Sequence, residues 1–176
     1  MKFLLLSLVI LTTTLCSDAQ QKKVTIIAGL NLGYPLQTMN NLRGKILAAG
    51  LDLSALFNIS SKVSITSDIG YTIVFATDDA SPEIIPLRAG IRYFPVERFF
   101  MGGKIGVGFI KNGGFVTTTG GFTTTLAYAF NAGYKIGQHI ELGASYEAYS
   151  KKQPNQDGYT QNNTISIINL KLGYWF

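Results

Sequence analysis

The sequence predicts an all-β fold: an eight-stranded antiparallel up-and-down barrel that spans a membrane, with short turns at one end and longer loops at the other. Eight stretches alternate between apolar and mixed residues with a period of two, and short and long connections alternate between them. Charged residues make up only 14% of the chain, against about 25% in soluble domains. Because a strand places successive side chains on opposite faces, each stretch has one apolar face and one more polar face.

The first segment of the chain, residues 1–19, predicts a secretory signal peptide rather than part of the fold. Lys2 supplies a positive start, residues 3–11 are apolar, and Ser17 and Ala19 are the small residues that precede a cleavage site. The barrel domain is then expected to cover 20–176. The single cysteine, Cys16, lies in the signal segment, so the mature chain is expected to have no disulfide or thiol chemistry.

The strands follow in order, each long enough for the roughly 9–11 residues that a tilted membrane strand needs. The eight predicted ranges are 24–33, 45–57, 62–75, 85–94, 99–110, 122–135, 139–149 and 164–176. In the last strand one face is wholly apolar, comprising Ile168, Leu170, Leu172, Tyr174 and Phe176. The other face of this strand is mixed and carries Asn169 and Lys171.

The connections divide into two classes by length. Short turns are predicted at 58–61, 95–98 and 136–138, and longer polar loops at 34–44, 76–84, 111–121 and 150–163. All five prolines are placed in loops, turns or strand beginnings, where a missing N–H is tolerated. No internal run approaches the roughly 20 apolar residues of a membrane helix, so a membrane location leaves a closed barrel, in which every backbone group is satisfied.

Aromatic residues gather near both ends of the predicted strands and predict two girdles at the membrane interfaces. The turn-end set is Phe57, Tyr93, Phe94, Phe99, Phe100, Tyr134, Tyr174, Trp175 and Phe176. The loop-end set is Tyr34, Phe75, Phe109, Phe115, Phe122 and Tyr149.

The terminal strand, which ends on Phe176, resembles the closing strand of bacterial outer-membrane β-barrels, and the whole mature chain resembles small barrels of the OmpA/OmpX type. The resemblance implies a monomer in the bacterial outer membrane, with turns in the periplasm and contact with outer-membrane lipid and lipopolysaccharide. It also implies that the apolar face of the last strand is the signal recognised by the barrel-assembly machinery: Ile168, Leu170, Leu172, Tyr174 and Phe176.

Charged residues on the more polar faces of the strands are expected to point into the lumen, four of each sign: Asp52, Asp68, Arg88, Arg92, Lys104, Glu141, Glu147 and Lys171. The interior of an eight-stranded barrel is just wide enough to be filled by side chains, and buried charges must be paired. A plugged, salt-bridged lumen is therefore predicted, in which inward glycines make room for the Arg and Lys side chains. A narrow ion path is the alternative.

Catalysis, cofactor binding and metal binding are not expected. His139, the only histidine, begins the seventh strand with inward parity beside a turn, whereas a lipid-A-modifying barrel enzyme needs a histidine at the outer rim. The formal charge of +5 is spread over isolated residues and pairs such as Lys151 and Lys152, so nucleic-acid binding is not expected.

Four functions remain open at this point. The first is a structural or surface-interaction role in the cell envelope, and the second is a small gated channel for ions or small hydrophobic solutes. A lipid-A-modifying enzyme is disfavoured by the position of His139. A soluble lipocalin-type barrel is disfavoured because the outer faces carry no charge.

Overall fold

The eight predicted strands close into one barrel. A computed structural model of the chain describes residues 24–37, 45–76, 81–111, 121–154 and 160–176. The strands are β1 (Val24–Gln37), β2 (Lys45–Asn58), β3 (Val63–Ala76), β4 (Glu83–Val96), β5 (Phe99–Lys111), β6 (Thr123–Ile136), β7 (Ile140–Pro154) and β8 (Thr160–Trp175). The predicted signal segment 1–19 and Phe115 lie outside the described residues.

Each strand pairs with its neighbours in sequence, and the first pairs with the last. Every pairing is antiparallel, and β1 meets β8 with Leu30 opposite Leu172. The predicted all-β up-and-down barrel is therefore confirmed. No helix among the described residues has the length and apolar character needed to cross a membrane.

The two ends of the barrel differ in their connections. Residues 59–62, 97–98 and 137–139 connect strands at one end, which we call the turn end. The remaining connections lie at the opposite end, which we call the loop end. Gly137 has a φ of 65° in its turn, a left-handed conformation that residues with a side chain rarely adopt.

Two predicted loops contain more strand than the sequence indicated. β1 continues to Gln37 rather than ending at 33, and the β7–β8 ladder continues to the pair Pro154 and Thr160 inside the predicted loop 150–163. Period-two patterning arises from one face being buried or lipid-covered. The β7–β8 extension lacks this patterning because its residues are polar at successive positions. In β1 exposure still alternates past 33, since Tyr34 and Leu36 are exposed and Pro35 is buried.

Three prolines predicted in loops or turns belong to strands instead, which corrects the prediction. Pro35 belongs to β1, Pro95 to β4, and Pro154 is the last residue of β7. Pro35 and Pro95 each lie beside a register shift, in the β1–β8 and β4–β5 pairings respectively. A proline cannot donate a ladder hydrogen bond, and an irregularity in the register is where that loss is accommodated.

The outer wall is apolar around the whole barrel. Large apolar side chains are exposed on every strand, among them Leu30, Leu51, Ile69, Ile91, Ile105, Phe130, Leu142 and Leu170. The five outward residues of the last strand, from Ile168 to Phe176, are exposed in the same way. Such a surface is far larger than the apolar patches of soluble monomers, and it suits lipid contact.

Candidate functional site

The interior of the barrel contains the eight charged residues from the more polar faces of the strands. Six of them are buried, namely Asp68, Arg88, Arg92, Lys104, Glu141 and Glu147. The side chains of Asp52 and Lys171 retain only 9% and 15% of their exposure. All eight belong to strands, and the strand parity that turns apolar residues outward turns these residues inward.

Arg88 joins two walls of the barrel. Its Nη2 lies 2.7 Å from Oδ2 of Asp68 on the adjacent β3, and its Nη1 lies 3.0 Å from Oε2 of Glu147 on β7. The Arg88 Nε also donates a hydrogen bond to Asp68 at 3.2 Å. On the Asp68 side, the Lys104 Nζ of β5 approaches Oδ1 at 3.5 Å.

Lys171 extends the same set of contacts to β8 and β2. Its Nζ lies 3.5 Å from Oε1 of Glu147 and 3.3 Å from Oδ1 of Asp52. Asn31 of β1 donates a 2.6 Å hydrogen bond to Asp52. We call the six connected charges the central ion-pair network: Asp52, Asp68, Arg88, Lys104, Glu147 and Lys171. This network fixes strands on opposite sides of the barrel to one another.

A second group of contacts closes the turn end. Arg92 Nη1 lies 2.8 Å from Glu141 Oε2, and the same oxygen accepts a 2.8 Å hydrogen bond from Trp175 Nε1. The Arg92 guanidinium lies 4.1 Å from the Phe100 ring centroid, and Lys135 Nζ lies 3.9 Å from that of Trp175. These five residues are called the turn-end cluster. The cations of Arg92 and Lys135 lie over the rings of Phe100 and Trp175, at distances where a cation and an aromatic ring attract each other.

The loop end of the interior is filled by apolar side chains. Ala48, Val74, Ile84, Ile110, Ala127, Tyr149, Ile165 and Ile167 form one buried cluster, each at most 1% exposed. We call this the loop-end apolar cluster. The hydroxyl of Tyr149 points from it toward the centre and donates a 2.7 Å hydrogen bond to Glu147. The interior is thus layered, with apolar residues at the loop end, ion pairs in the middle, and aromatic residues with cations at the turn end.

A small cavity lies among these layers. Its volume is about 20 Å³, and it is lined by residues that include Ser54, Lys104 and Glu141. Arg92 Nε and Asn131 Oδ1 belong to residues that line it, and both atoms are buried without a hydrogen-bond partner. One is a donor and the other an acceptor, and the volume is about that of a single water molecule.

The inward glycines make room for groups other than those predicted. A Cβ on Gly29 would lie 2.7 Å from the Asp52 carboxylate, and one on Gly173 would lie 2.6 Å from Glu141. A Cβ on Gly108 would meet the Tyr149 ring. The expectation that these glycines accommodate Arg and Lys side chains is therefore wrong at these positions, because acidic and aromatic side chains lie closest.

Three aromatic residues counted among the girdles face the lumen instead. Phe100 is 2% exposed and Tyr149 is fully buried, while the Trp175 indole points inward to Glu141. Proximity to a strand end does not indicate the face, whereas parity does. Phe100 shares its parity with Lys104, Trp175 with Lys171, and Tyr149 with Glu147, so the sequence contained a usable signal for all three.

His139 does not begin a strand and does not point inward, which corrects the prediction. It is an exposed turn residue whose ring stacks on Tyr174 on the outer wall, with the centroids 5.6 Å apart. Its Nδ1 lies 3.0 Å from the Trp175 carbonyl oxygen. Strand alternation ends at the turn, so parity could not place this side chain. Among the described residues, no group of three or more His, Cys, Asp or Glu is arranged to hold a metal ion.

Comparison with known families gives one match that covers nearly the whole chain. The family described as the outer membrane protein beta-barrel domain matches residues 4–176. A comparison with curated proteins finds no match.

Several solved structures have a similar fold. Neisserial surface protein A is 12% identical, with a TM-score of 0.58, over 86% of this chain and 95% of that one. Yersinia pestis Ail, the attachment invasion locus protein in complex with the heparin analogue sucrose octasulfate, is 16% identical, with a TM-score of 0.55, over 89% and 100%. The outer membrane enzyme PagL is 17% identical, with a TM-score of 0.53, over 85% and 97%. At these identities the likeness concerns the fold alone.

Proposed function

This chain belongs to the outer membrane protein β-barrel family, and from that premise we propose that it is a closed, non-conducting barrel that serves envelope structure and surface contact. The observation that carries the proposal is the filled lumen. Ion pairs cross it, apolar side chains pack in its loop-end part, aromatic side chains and cations pack at its turn end, and a cavity among these layers measures about 20 Å³.

The fold alone does not choose between the functions that small barrels have. Ail is named an attachment protein and PagL an enzyme, and both share this architecture. The choice must therefore come from the residues of this chain. A pore would need a continuous polar path, and here Arg88 is held by carboxylates on two sides while aliphatic side chains fill the loop end.

The placement of His139 supports a non-enzymatic role. In this family the turns face the periplasm and the loops face outward, so His139 lies in the periplasmic half while lipid A lies in the outer leaflet. Its ring nitrogen Nδ1 is engaged with a backbone carbonyl of Trp175. The proposal therefore assigns His139 to packing at the rim.

The expected partners follow from the outer surface. The apolar wall is proposed to contact outer-membrane lipid, and three lysines near the loop end are proposed to meet lipopolysaccharide phosphates: Lys111, Lys151 and Lys152. The exposed residues of β8, together with Phe176 directly after it, are proposed as the surface that the barrel-assembly machinery recognises: Ile168, Leu170, Leu172, Tyr174 and Phe176. Export by the segment 1–19 belongs to the same proposal.

Conductance of the refolded protein in planar bilayers is the decisive test. We expect no current steps at any voltage, with folding checked by heat-modifiable migration on a gel. Stepwise currents that change in Arg92→Gln but not in the exposed Arg98→Gln would overturn the closed-lumen proposal and favour the channel. For the enzyme, lipid A altered by overexpression of the protein and unaltered with His139→Ala would contradict the non-enzymatic role.

A further inference from the structure

We propose that Trp175 is a latch that shuts the turn end of the lumen, and that rotation of its indole is the motion that admits water to the charged interior. The inference goes beyond the proposed function because it assigns a moving part to a barrel otherwise treated as static. It rests on the position of one side chain relative to three layers of the interior.

The backbone at Trp175 is held in place. Its N–H donates a 2.7 Å hydrogen bond to the His139 carbonyl, and its own carbonyl lies 3.0 Å from His139 Nδ1. The following residue, Phe176, donates a 3.0 Å backbone hydrogen bond to Ile26 of β1. Because the strand end is tied on both sides, any movement here is confined to the side-chain torsions of Trp175.

The indole covers the turn end, and each contact that holds it there can break without the others. Its Nε1 donates a hydrogen bond to Glu141 Oε2, and the same oxygen forms an ion pair with Arg92 Nη1 at 2.8 Å. When the indole leaves, Glu141 keeps its ion pair and loses one hydrogen bond from a neutral donor. Two cations also lie over the ring, with the Lys135 ammonium 3.9 Å and the Arg92 guanidinium 6.0 Å from its centroid. Arg92 keeps its ion pair with Glu141 when the indole leaves. Loss of these contacts therefore leaves neither Arg92 nor Glu141 buried without a partner, which is the costly event in an interior of this kind.

The other layers have no such element. In the loop-end apolar cluster, residues such as Ile165 and Ile167 are fully buried and can move only if their neighbours repack. In the central ion-pair network, movement of Arg88 would leave the carboxylates of Asp68 and Glu147 short of a partner. The turn end is therefore where the lumen opens with least disruption.

The space that the latch guards is already polar. Three residues that contact the indole or one of its partners also line the cavity of about 20 Å³: Arg92, Glu141 and Phe100. Ser54, which is 3% exposed, lines the same cavity. A thiol at position 54 therefore reports whether reagents pass the indole.

Thiol labelling tests the latch without reaction from any other cysteine of the mature protein. Cys16 is the only cysteine and lies in the predicted signal segment, so Ser54→Cys gives the mature protein a single thiol. We expect slow reaction of the folded protein with a small cationic methanethiosulfonate. Adding Trp175→Phe, which removes one hydrogen bond, should speed labelling about tenfold, and Trp175→Ala at least as much. Tyr174→Ala, an aromatic lost from the outer wall one residue away, should leave the rate within about twofold of the parent.

The sole tryptophan supplies a second readout with the ring in place. Trp175 is the only tryptophan in the chain, so its emission reports the latch directly. Lys135→Met removes the cation over the ring, and a cation–π contact of ordinary strength corresponds to a threefold to fivefold change in an equilibrium. We expect stronger quenching by acrylamide in this variant and faster labelling of Ser54→Cys.

The outcomes separate the latch from the closed lumen. Rapid labelling of Ser54→Cys with the native indole would overturn both the latch and the filled interior. Slow labelling in the parent, together with equally slow labelling in Trp175→Phe and Lys135→Met, would overturn the latch and leave the closed lumen intact. Should Trp175→Ala fail to fold, these two milder variants decide.

Discussion

Removal of the Arg88 guanidinium should be the most damaging single change in the lumen. Arg88 is 3% exposed and contacts Asp68 at 2.7 Å and Glu147 at 3.0 Å. Arg88→Met keeps most of the side-chain length but leaves both carboxylates without their principal partner. The variant therefore tests whether the central ion-pair network supports the fold.

The expected loss of stability follows from what each carboxylate retains. Breaking a buried ion pair by removing one partner destabilises a protein by about 3–5 kcal/mol. Glu147 keeps Lys171 at 3.5 Å and the Tyr149 hydroxyl at 2.7 Å, while Asp68 keeps Lys104 at 3.5 Å. These remaining contacts place the expected loss near the lower end, at about 3 kcal/mol.

Urea unfolding in detergent micelles, followed by Trp175 fluorescence, measures this loss as a change in the free energy of unfolding. Arg98→Met is the matched control, because Arg98 is an exposed turn residue, and it should change stability by less than about 0.5 kcal/mol. Combining Arg88→Met with Glu147→Gln should restore roughly half of the loss, since Lys104 then keeps Asp68, Lys171 keeps Asp52, and the charges of the network balance again. A loss in Arg88→Met no larger than in Arg98→Met would refute the reasoning.

Three further changes can be followed by the same unfolding assay. Tyr149→Phe removes a buried 2.7 Å hydrogen bond and should cost about 1–2 kcal/mol, whereas the outward Tyr146→Phe should be neutral. Gly90→Ala places a Cβ against a backbone carbonyl oxygen of β5, while in Gly103→Ala the nearest atom is 3.6 Å away, so only the former should lose about 1–3 kcal/mol. Leu170→Arg puts a charge on the outer wall at a side chain that is 70% exposed, and when the same unfolding is measured in phospholipid bilayers instead of micelles it should cost about 2–4 kcal/mol. Equal effects within either matched pair, or a neutral Leu170→Arg, would contradict these assignments.

The alternation of residues in the sequence was enough to determine the barrel and its two faces. Leu51 and Asp52 are adjacent in the chain and lie on opposite walls, as the period of two requires. The same rule applies to Phe100 and Trp175, which face the lumen with the charged residues of their strands. It fails at His139, because alternation ends where a turn begins, and in the β7–β8 extension, where successive residues are polar.

The pairing of charges across the lumen was decided only by closure of the barrel. Arg88 and Glu147 are 59 residues apart (147 − 88) and meet because β4 and β7 face each other across a narrow interior. Parity shows that both point inward, but the level at which each lies depends on the register of every intervening pair. For the same reason the contact between Trp175 and Glu141 depends on the ladder between β7 and β8 and on the turn at 137–139. The sequence thus determined which side chains enter the lumen, and the tertiary structure determined which of them meet, because a register is a property of strand pairs and not of a single strand.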